Sequence, residues 1–309
     1  MGIKVLSLFD GMSCGQIALD QLGVEVDTYY ASEIDKWAMQ ITQKNYPNTI
    51  QVGDVCDLDP KDFQDVDLIM GGSPCQGFSF AGKQLAFDDP RSALFFQFVR
   101  LLEGIKPKYF LLENVKMKKE YLQVITDLLG IEPIFINSAL VSAQSRQRYY
   151  WTNIPNIKEP EDRGIVLKDI LENNFSSEKD KSYCIDANYF KGASVEQYKK
   201  KSRRQLVSKP KQIGKPMSTT QKKIERNKRN LNEKAVPLLA STYKGIGNNG
   251  TTIVPDKDLT WRKLTPLECE RLQTVPDNYT EGVSNTQRYK MLGNGWTVEV
   301  IKHILRNMA

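Results

Sequence analysis

Cys75 lies in Gly71-Gly72-Ser73-Pro74-Cys75-Gln76-Gly77, where glycines and a proline impose a tight turn around one thiol. A cysteine near a helix N-terminus or basic side chains favours its thiolate, and the thiolate is the nucleophile. The competing reading is a small buried cysteine in a turn, which leaves the turn itself unexplained. Among 309 residues there is one histidine, His303, the seventh residue from the end. A metal site built on two histidines is therefore excluded, and a cysteine-protease mechanism is disfavoured. Any chemistry falls to Cys, Glu, Arg or a cofactor.

A second set of residues recurs at regular distance. Asp10, Glu33 and Asp54 stand 23 and then 21 positions apart, about one strand-helix unit each, and Glu113 follows a later strand. A lone acid after a strand is commonly a helix cap. The shared placement instead predicts one crevice lined by acids. Phe9-Asp10-Gly11-Met12-Ser13-Cys14-Gly15 has glycines that let backbone approach a ligand, but it is neither Gly-x-Gly-x-x-Gly nor a P-loop. A plain tight turn is the alternative. With Glu33 as an acid able to grip ribose hydroxyls, the two features suggest an adenosine-containing cofactor.

The elements that must position these residues are readable as an alternation. Val5 to Phe9, Tyr29 to Ala31, Asp67 to Met70, Tyr109 to Leu112 and Ile134 to Val141 read as buried strands. Gln16 to Leu22, Lys36 to Asn45, Ser92 to Glu103 and Tyr121 to Leu129 carry helical spacing. This predicts a doubly wound α/β sheet, whose ligands bind beyond the carboxyl ends of the strands. Thr265-Pro266-Leu267-Glu268 reads as a capped helix start. A last helix from Thr297 to Met308 puts Val298, Ile301, Ile304 and Leu305 on one face, suited to packing on the sheet domain.

Composition narrows the class. With 40% hydrophobic and 26% charged residues the chain is globular rather than disordered. No apolar run approaches the roughly 20 residues of a membrane helix, and no signal-peptide pattern is present. Five cysteines without a Cys-x-x-Cys pair argue against zinc and a disulfide framework, and fit a reducing cytosol. The net charge of +6 is uneven: Lys191 to Lys234 holds 15 Lys and Arg against 3 acids, a local +12 that leaves −6 elsewhere. Such a run reads either as a solvated face or as a phosphate-contact surface.

Taken in order, the motifs resemble those of the cytosine-C5 DNA methyltransferases. Gly72-Ser73-Pro74-Cys75-Gln76 resembles the family's Pro-Cys motif, and Glu113-Asn114-Val115 its partner. Gln144-Ser145-Arg146-Gln147-Arg148 matches Gln-x-Arg-x-Arg. Arg262 through Gln273 resembles the motif closing the target-recognition region, and Leu292-Gly293-Asn294-Gly295 the C-terminal cofactor motif. Two departures stand out: the common Phe-x-Gly-x-Gly-Gly is altered at Phe9 to Gly15, and the usual Gly-Asn-Ser becomes Gly293-Asn294-Gly295 followed by Trp296. Both variants lean toward the animal de novo-type branch, while Asn294 is of the bacterial kind.

The resemblance implies a Rossmann-like α/β domain that uses S-adenosyl-L-methionine, with a smaller target-recognition domain. Its expected bounds are 1–155 for the catalytic domain, 156–280 for recognition and 281–309 for a returning segment. It implies Cys75 as nucleophile at cytosine C6 and Glu113 as an acid at N3, which would need a carboxyl pKa raised by burial. Arg148 is expected at cytosine O2, and Arg146 as a brace for the loop, a phosphate or Glu113. If the motif stood alone, two surface arginines on an edge strand would be the reading. Phe9, Asp10 and Gly11 are expected beside the cofactor, Glu33 on its ribose, Ile34 on adenine, Asp54 on the adenine amino group and Asn294 closing the pocket. Gly82, Lys83 and Gln84 would belong to a loop that closes over a flipped base. Double-stranded DNA is the implied partner, with no metal and no membrane, a monomeric state, and the cytoplasm or nucleoid of a bacterial or phage-infected cell. An RNA-directed relative and a catalytically idle DNA-binding protein are the alternatives; the long segment between Tyr150 and Arg262 counts against the first, and intact Cys75, Glu113, Arg146 and Arg148 against the second.

Overall fold

The computed structural model describes residues 2–73, 93–173, 175–201, 204–210 and 259–308. Cys75, Gly82, Lys83 and Gln84 lie outside the described residues, as does the basic stretch from 211 onward. The chain divides into two compact units, Met1–Val207 with Lys263–Ala309, and Ser208–Arg262.

The larger unit is built on a seven-stranded sheet. Its strands are β1 (Ile3–Leu8), β2 (Val26–Ser32), β3 (Ile50–Gln51), β4 (Leu68–Gly71), β5 (Tyr109–Val115), β6 (Ile134–Asn137) and β7 (Gln147–Thr152), in the order β3-β2-β1-β4-β5-β7-β6. The first five pair in parallel, and β7 is antiparallel to both β5 and β6. Helices α1 (Cys14–Gln21), α2 (Lys36–Asn45), α3 (Ala93–Ile105) and α4 (Lys119–Leu129) connect the strands. Near-continuous apolar strands are what a sheet covered on both faces requires. Val5, Leu68, Met70 and Leu111 point into one core with Ile17 and Ala18 of α1. Their alternates Leu6, Leu8, Ile69 and Leu112 enter a second core with Phe95, Phe98 and Leu101 of α3.

Two strand expectations need correction. The strand expected over Ile134 to Val141 stops at Asn137, whose side chain accepts from the Ala139 N–H (3.1 Å) and starts a 3-10 turn at Ser138–Leu140. The same carboxamide oxygen accepts from the Arg146 N–H (3.0 Å), which sets the entry to β7. β7 was not anticipated, and it is an interior strand between β5 and β6 rather than an edge. Glu113 accordingly lies within β5 rather than after it.

The remaining elements are α5 (Val195–Lys201), β8 (Leu206–Pro210), β9 (Leu259–Lys263), α6 (Pro266–Leu272), α7 (Asn285–Asn294) and α8 (Val298–Leu305); β8 and β9 form a separate two-stranded sheet. The Thr265 hydroxyl accepts from the Glu268 N–H while Glu268 answers to the Thr265 N–H, a reciprocal cap that starts α6. The apolar face of α8, with Val298, Ile301, Ile304 and Leu305, is buried in the first core. The compact units are bounded at 207/208 and 262/263. Leu167, Ile185, Tyr189 and Val207 on one side, and Leu264, Leu272 and Tyr279 on the other, belong to the first core. Packing therefore draws both flanks of the expected recognition segment into the larger unit. His303, on α8, contacts the Lys158 carbonyl through Nε2 at 2.7 Å.

Candidate active site

Strand register brings the candidate residues to one edge of the sheet. Leu8 is aligned with Ser32 on β2 and Gly71 on β4, and Gly71 with Leu112 on β5. One residue further along each strand stand Phe9, Glu33, Gly72 and Glu113. This is the carboxyl end where open α/β sheets bind ligands.

The β1–α1 turn has three left-handed residues in five: Phe9 (φ 56°), Gly11 (φ 62°) and Ser13 (φ 61°). For Phe9 and Ser13 this conformation costs energy and must be held by surrounding bonds. Asp10 does much of the holding. Its carboxylate accepts from the Tyr29 hydroxyl (2.9 Å) and from the Ser13 hydroxyl. Burial pushes the Asp10 carboxyl up to about 6, against the hydrogen bonds from Ser13, Ser7 and Tyr29 that lower it. Asp10 thus faces the protein and supports the turn.

Glu33 ties the first two turns together. One carboxylate oxygen accepts from the Gly11 N–H (2.7 Å), the other from the N–H groups of Ile34 and Asp35 (2.8 Å each). Beside it Ile34 is 74% exposed, the most exposed large apolar side chain among the described residues. Asp54 accepts from the Cys56 N–H (2.9 Å) at the start of a 3-10 turn, so it also serves as the cap considered for it. Asn294 is exposed at the end of α7. The following Gly295 packs so closely on Met12 and Cys14 that an added Cβ would lie 3.0 and 3.2 Å from their side chains. The N-terminal and C-terminal motifs, remote in sequence, therefore meet.

The other half of the edge carries a charge pair. Glu113 is 8% exposed, and its Oε1 lies 2.6 Å from Arg148 Nε. Val115 is registered with Arg148 and Glu113 with Tyr150, so the two charged side chains are diagonal neighbours on one face of adjacent strands. A Cβ on Gly72 would come within 2.8 Å of Trp296 Nε1 and 3.1 Å of Glu113 Oε2. Gly72 thereby leaves room for the indole and the carboxylate at the strand end. The next residue is anchored too: Asn114, buried, donates to the Ser73 hydroxyl (3.2 Å). Gly72 and Ser73 form the stem of the segment that carries Cys75.

Arg146 is only 3% exposed and points elsewhere. Its guanidinium donates to the carbonyls of Ile185 (3.2 Å), Gly293 (3.3 Å) and Gly295 (2.9 Å), and to Cys184 Sγ (3.4 Å). The two arginines are therefore not surface residues on an edge strand; Arg146 braces the turn next to Asn294, and Arg148 takes the carboxylate. Reasoning from sequence missed Trp296 as a neighbour of Glu113 and missed Gln273 as a buried hub, although Gln273 ends one motif and Trp296 directly follows another. Among the other thiols, burial pushes Cys14 up to about 12 and Cys269 well above its ordinary value, so neither supplies a thiolate. Among the described residues no group of three metal-ligating side chains is assembled, and no helix is long and apolar enough to cross a membrane.

Comparison with known proteins identifies the family. Residues 3–309 match the family described as C-5 cytosine-specific DNA methylase. The chain is 31% identical to the type II methyltransferase M1.ScrFI of Lactococcus lactis subsp. cremoris, over 99% of this chain and 77% of that protein. It is 30% identical to M.NlaX of Neisseria lactamica (99% and 96%) and 28% identical to M.HhaI of Haemophilus parahaemolyticus (100% and 94%). Its fold is shared with a variant of Spodoptera frugiperda DNMT2 (TM-score 0.67, 22% identity, 99% of each chain). It is also shared with the Entamoeba histolytica methyltransferase EhMeth (TM-score 0.69, 17% identity, 99% and 98%). The edge-of-sheet site, the ordered motifs and the match across the whole chain place this protein in the C-5 cytosine-specific DNA methylase family.

Proposed function

We propose that the protein transfers a methyl group from S-adenosyl-L-methionine to C5 of a cytosine flipped out of a specific duplex DNA sequence. The observation that carries this reading is the buried Glu113–Arg148 pair standing beside the Gly72–Ser73 stem that leads into Cys75.

The residues present fit the cofactor. Glu33 uses three of the roughly four acceptor positions of a carboxylate on backbone N–H groups, which leaves one for a ribose hydroxyl. Exposed Ile34 offers an apolar face for adenine, with Asp54 able to accept from its amino group. Phe9 and Gly11 sit in the turn that approaches the cofactor, and Asn294 closes the pocket. When bound, S-adenosyl-L-methionine supplies an electrophilic methyl group.

Cytosine C5 is too weak a nucleophile to take that methyl unaided. The Cys75 thiolate adds to C6, forming a carbon–sulfur bond and pushing electron density toward N3 and C5. Glu113 takes up a proton as the base enters between it and Arg148 and passes that proton to N3, while the freed guanidinium donates to O2, so the charge that develops on the ring is met on both sides. Once C5 carries the methyl and the demethylated thioether departs, water takes the C5 proton, N3 returns its proton to Glu113, and the C6–sulfur bond breaks to free the Cys75 thiolate. A base inside duplex DNA is out of reach of these groups, so it must leave the stack. The segment 156–280, with the unit Ser208–Arg262 and the basic run at its centre, is the proposed recognition region.

The test is covalent capture. Duplex DNA carrying 5-fluorocytosine, incubated with cofactor and protein, should give an adduct resistant to denaturation and mapped to the Cys75 peptide by mass spectrometry. An adduct that persists in Cys75→Ala, or none with the wild type at its own target sequence, contradicts the reading.

A further inference from the structure

Gln273 caps the end of α6 and is fully buried. A buried amide must find partners for its two donors and its acceptor oxygen. Gln273 finds four. Its Nε2 donates to the carbonyls of Leu292 (2.7 Å) and Gly295 (3.1 Å), and its Oε1 accepts from Thr297 Oγ1 (3.0 Å) and Gln144 Nε2 (3.2 Å). The orientation of the amide follows from chemistry, because two carbonyl oxygens can only be met by the NH2 end. Gln144 in turn accepts from the Ile185 N–H (2.8 Å), so it is held from its other side.

These bonds join two halves of the site. The Leu292–Thr297 side carries exposed Asn294 and the Gly295 contact with Met12 and Cys14. Gln144 begins the run that ends at Arg148, the partner of Glu113. Gly295 O is shared between Gln273 Nε2 and Arg146 Nη2, so one carbonyl is gripped by the helix end and by the arginine loop together. We infer that Gln273 is a positioning residue: it locks the turn that faces the cofactor to the loop that sets Arg148 against Glu113, so that cofactor and target base are placed as one unit. This rests on the reading above, in which Asn294 borders the cofactor and Arg148 the base.

The test uses the full-length protein with Gln273→Glu, which keeps the shape and Oε1 but turns a donor pair into an acceptor facing two carbonyls. Three quantities are read: S-adenosyl-L-methionine affinity by calorimetry, single-turnover methylation at saturating cofactor, and the unfolding midpoint. The loss of satisfied buried partners is expected to weaken cofactor binding about tenfold and to slow the saturated turnover about tenfold per folded molecule. A lowered midpoint with affinity and rate within about twofold of wild type would reduce Gln273 to a structural residue and overturn the inference. Should that variant fail to fold, Thr297→Val, which removes one bond and leaves Gln273 in place, is expected to weaken the cofactor about threefold; unchanged affinity overturns it equally. If the wild type binds cofactor yet leaves duplex cytosine unmethylated, the functional reading alone fails, and the affinity measurement still decides the role of Gln273.

Discussion

At the scale of residues, two carboxylates at the same sheet edge have opposite jobs. Asp10 is turned inward and holds a strained turn, with its carboxyl pushed by burial from 3.8 up to about 6. A carboxyl raised on folding is better tolerated protonated. Its contribution therefore favours the folded state at and below pH 4 and is lost as pH rises through 6. Asp10→Asn should remove this slope, gaining about 1–3 kcal/mol relative to wild type between pH 4 and pH 7. Denaturant unfolding of both proteins across that range measures it, and parallel stability curves would contradict it. Glu113 instead faces the site beside Arg148. Glu113→Gln keeps the volume and removes the proton donor, so methylation is expected to fall about 10²–10⁴-fold with cofactor affinity nearly unchanged. Equal loss of cofactor binding would assign Glu113 to the wrong half of the site.

At the scale of elements, Gly72 shows how a strand end is cut to fit what surrounds it. Gly72→Ala would drive a methyl group into the Trp296 indole and the Glu113 carboxylate. Overpacking of this kind costs about 1–3 kcal/mol. The expected outcome is a protein that melts a few degrees lower but loses most of its turnover, read by calorimetry alongside methylation. Unimpaired turnover would mean that the indole does not sit at the working edge. The parallel strands β1, β2, β4 and β5 and the helices between them were readable in the sequence because each of these strands contains a short apolar run and each helix has one apolar face, whereas β3 is only Ile50–Gln51. The acids at the strand ends followed from that alternation. β7 was not readable: Gln147-Arg148-Tyr149-Tyr150-Trp151-Thr152 mixes polar and aromatic residues without clean period two, and its place between β5 and β6 is set by tertiary pairing. The end of β6 at Asn137 was hidden for a similar reason, since the carboxamide bonds to Arg146, nine residues away. The meeting of Gly295 with Met12 and Cys14 spans nearly the whole chain, and no local pattern encodes it.

At the scale of the molecule, charge is segregated along the chain. A net +12 between Lys191 and Lys234 is set against −6 on the remainder. If the basic run lies on DNA phosphates, binding releases counterions and must weaken steeply with salt. Affinity for duplex DNA is expected to drop by at least about tenfold between 50 and 200 mM salt, and neutralising Lys222, Lys223, Arg226, Lys228 and Arg229 should flatten the slope. A salt response that the neutralised variant leaves unaltered would remove this stretch from the DNA contact. The central claim, transfer of methyl to cytosine C5 by way of Cys75, is tested most directly by base-resolved methylation mapping in a host that lacks cytosine methylation. Expression of the wild type should produce 5-methylcytosine at one duplex sequence across the genome, and Cys75→Ala should leave every such site unmethylated. Methylation that survives in Cys75→Ala, or modification confined to RNA, would contradict it.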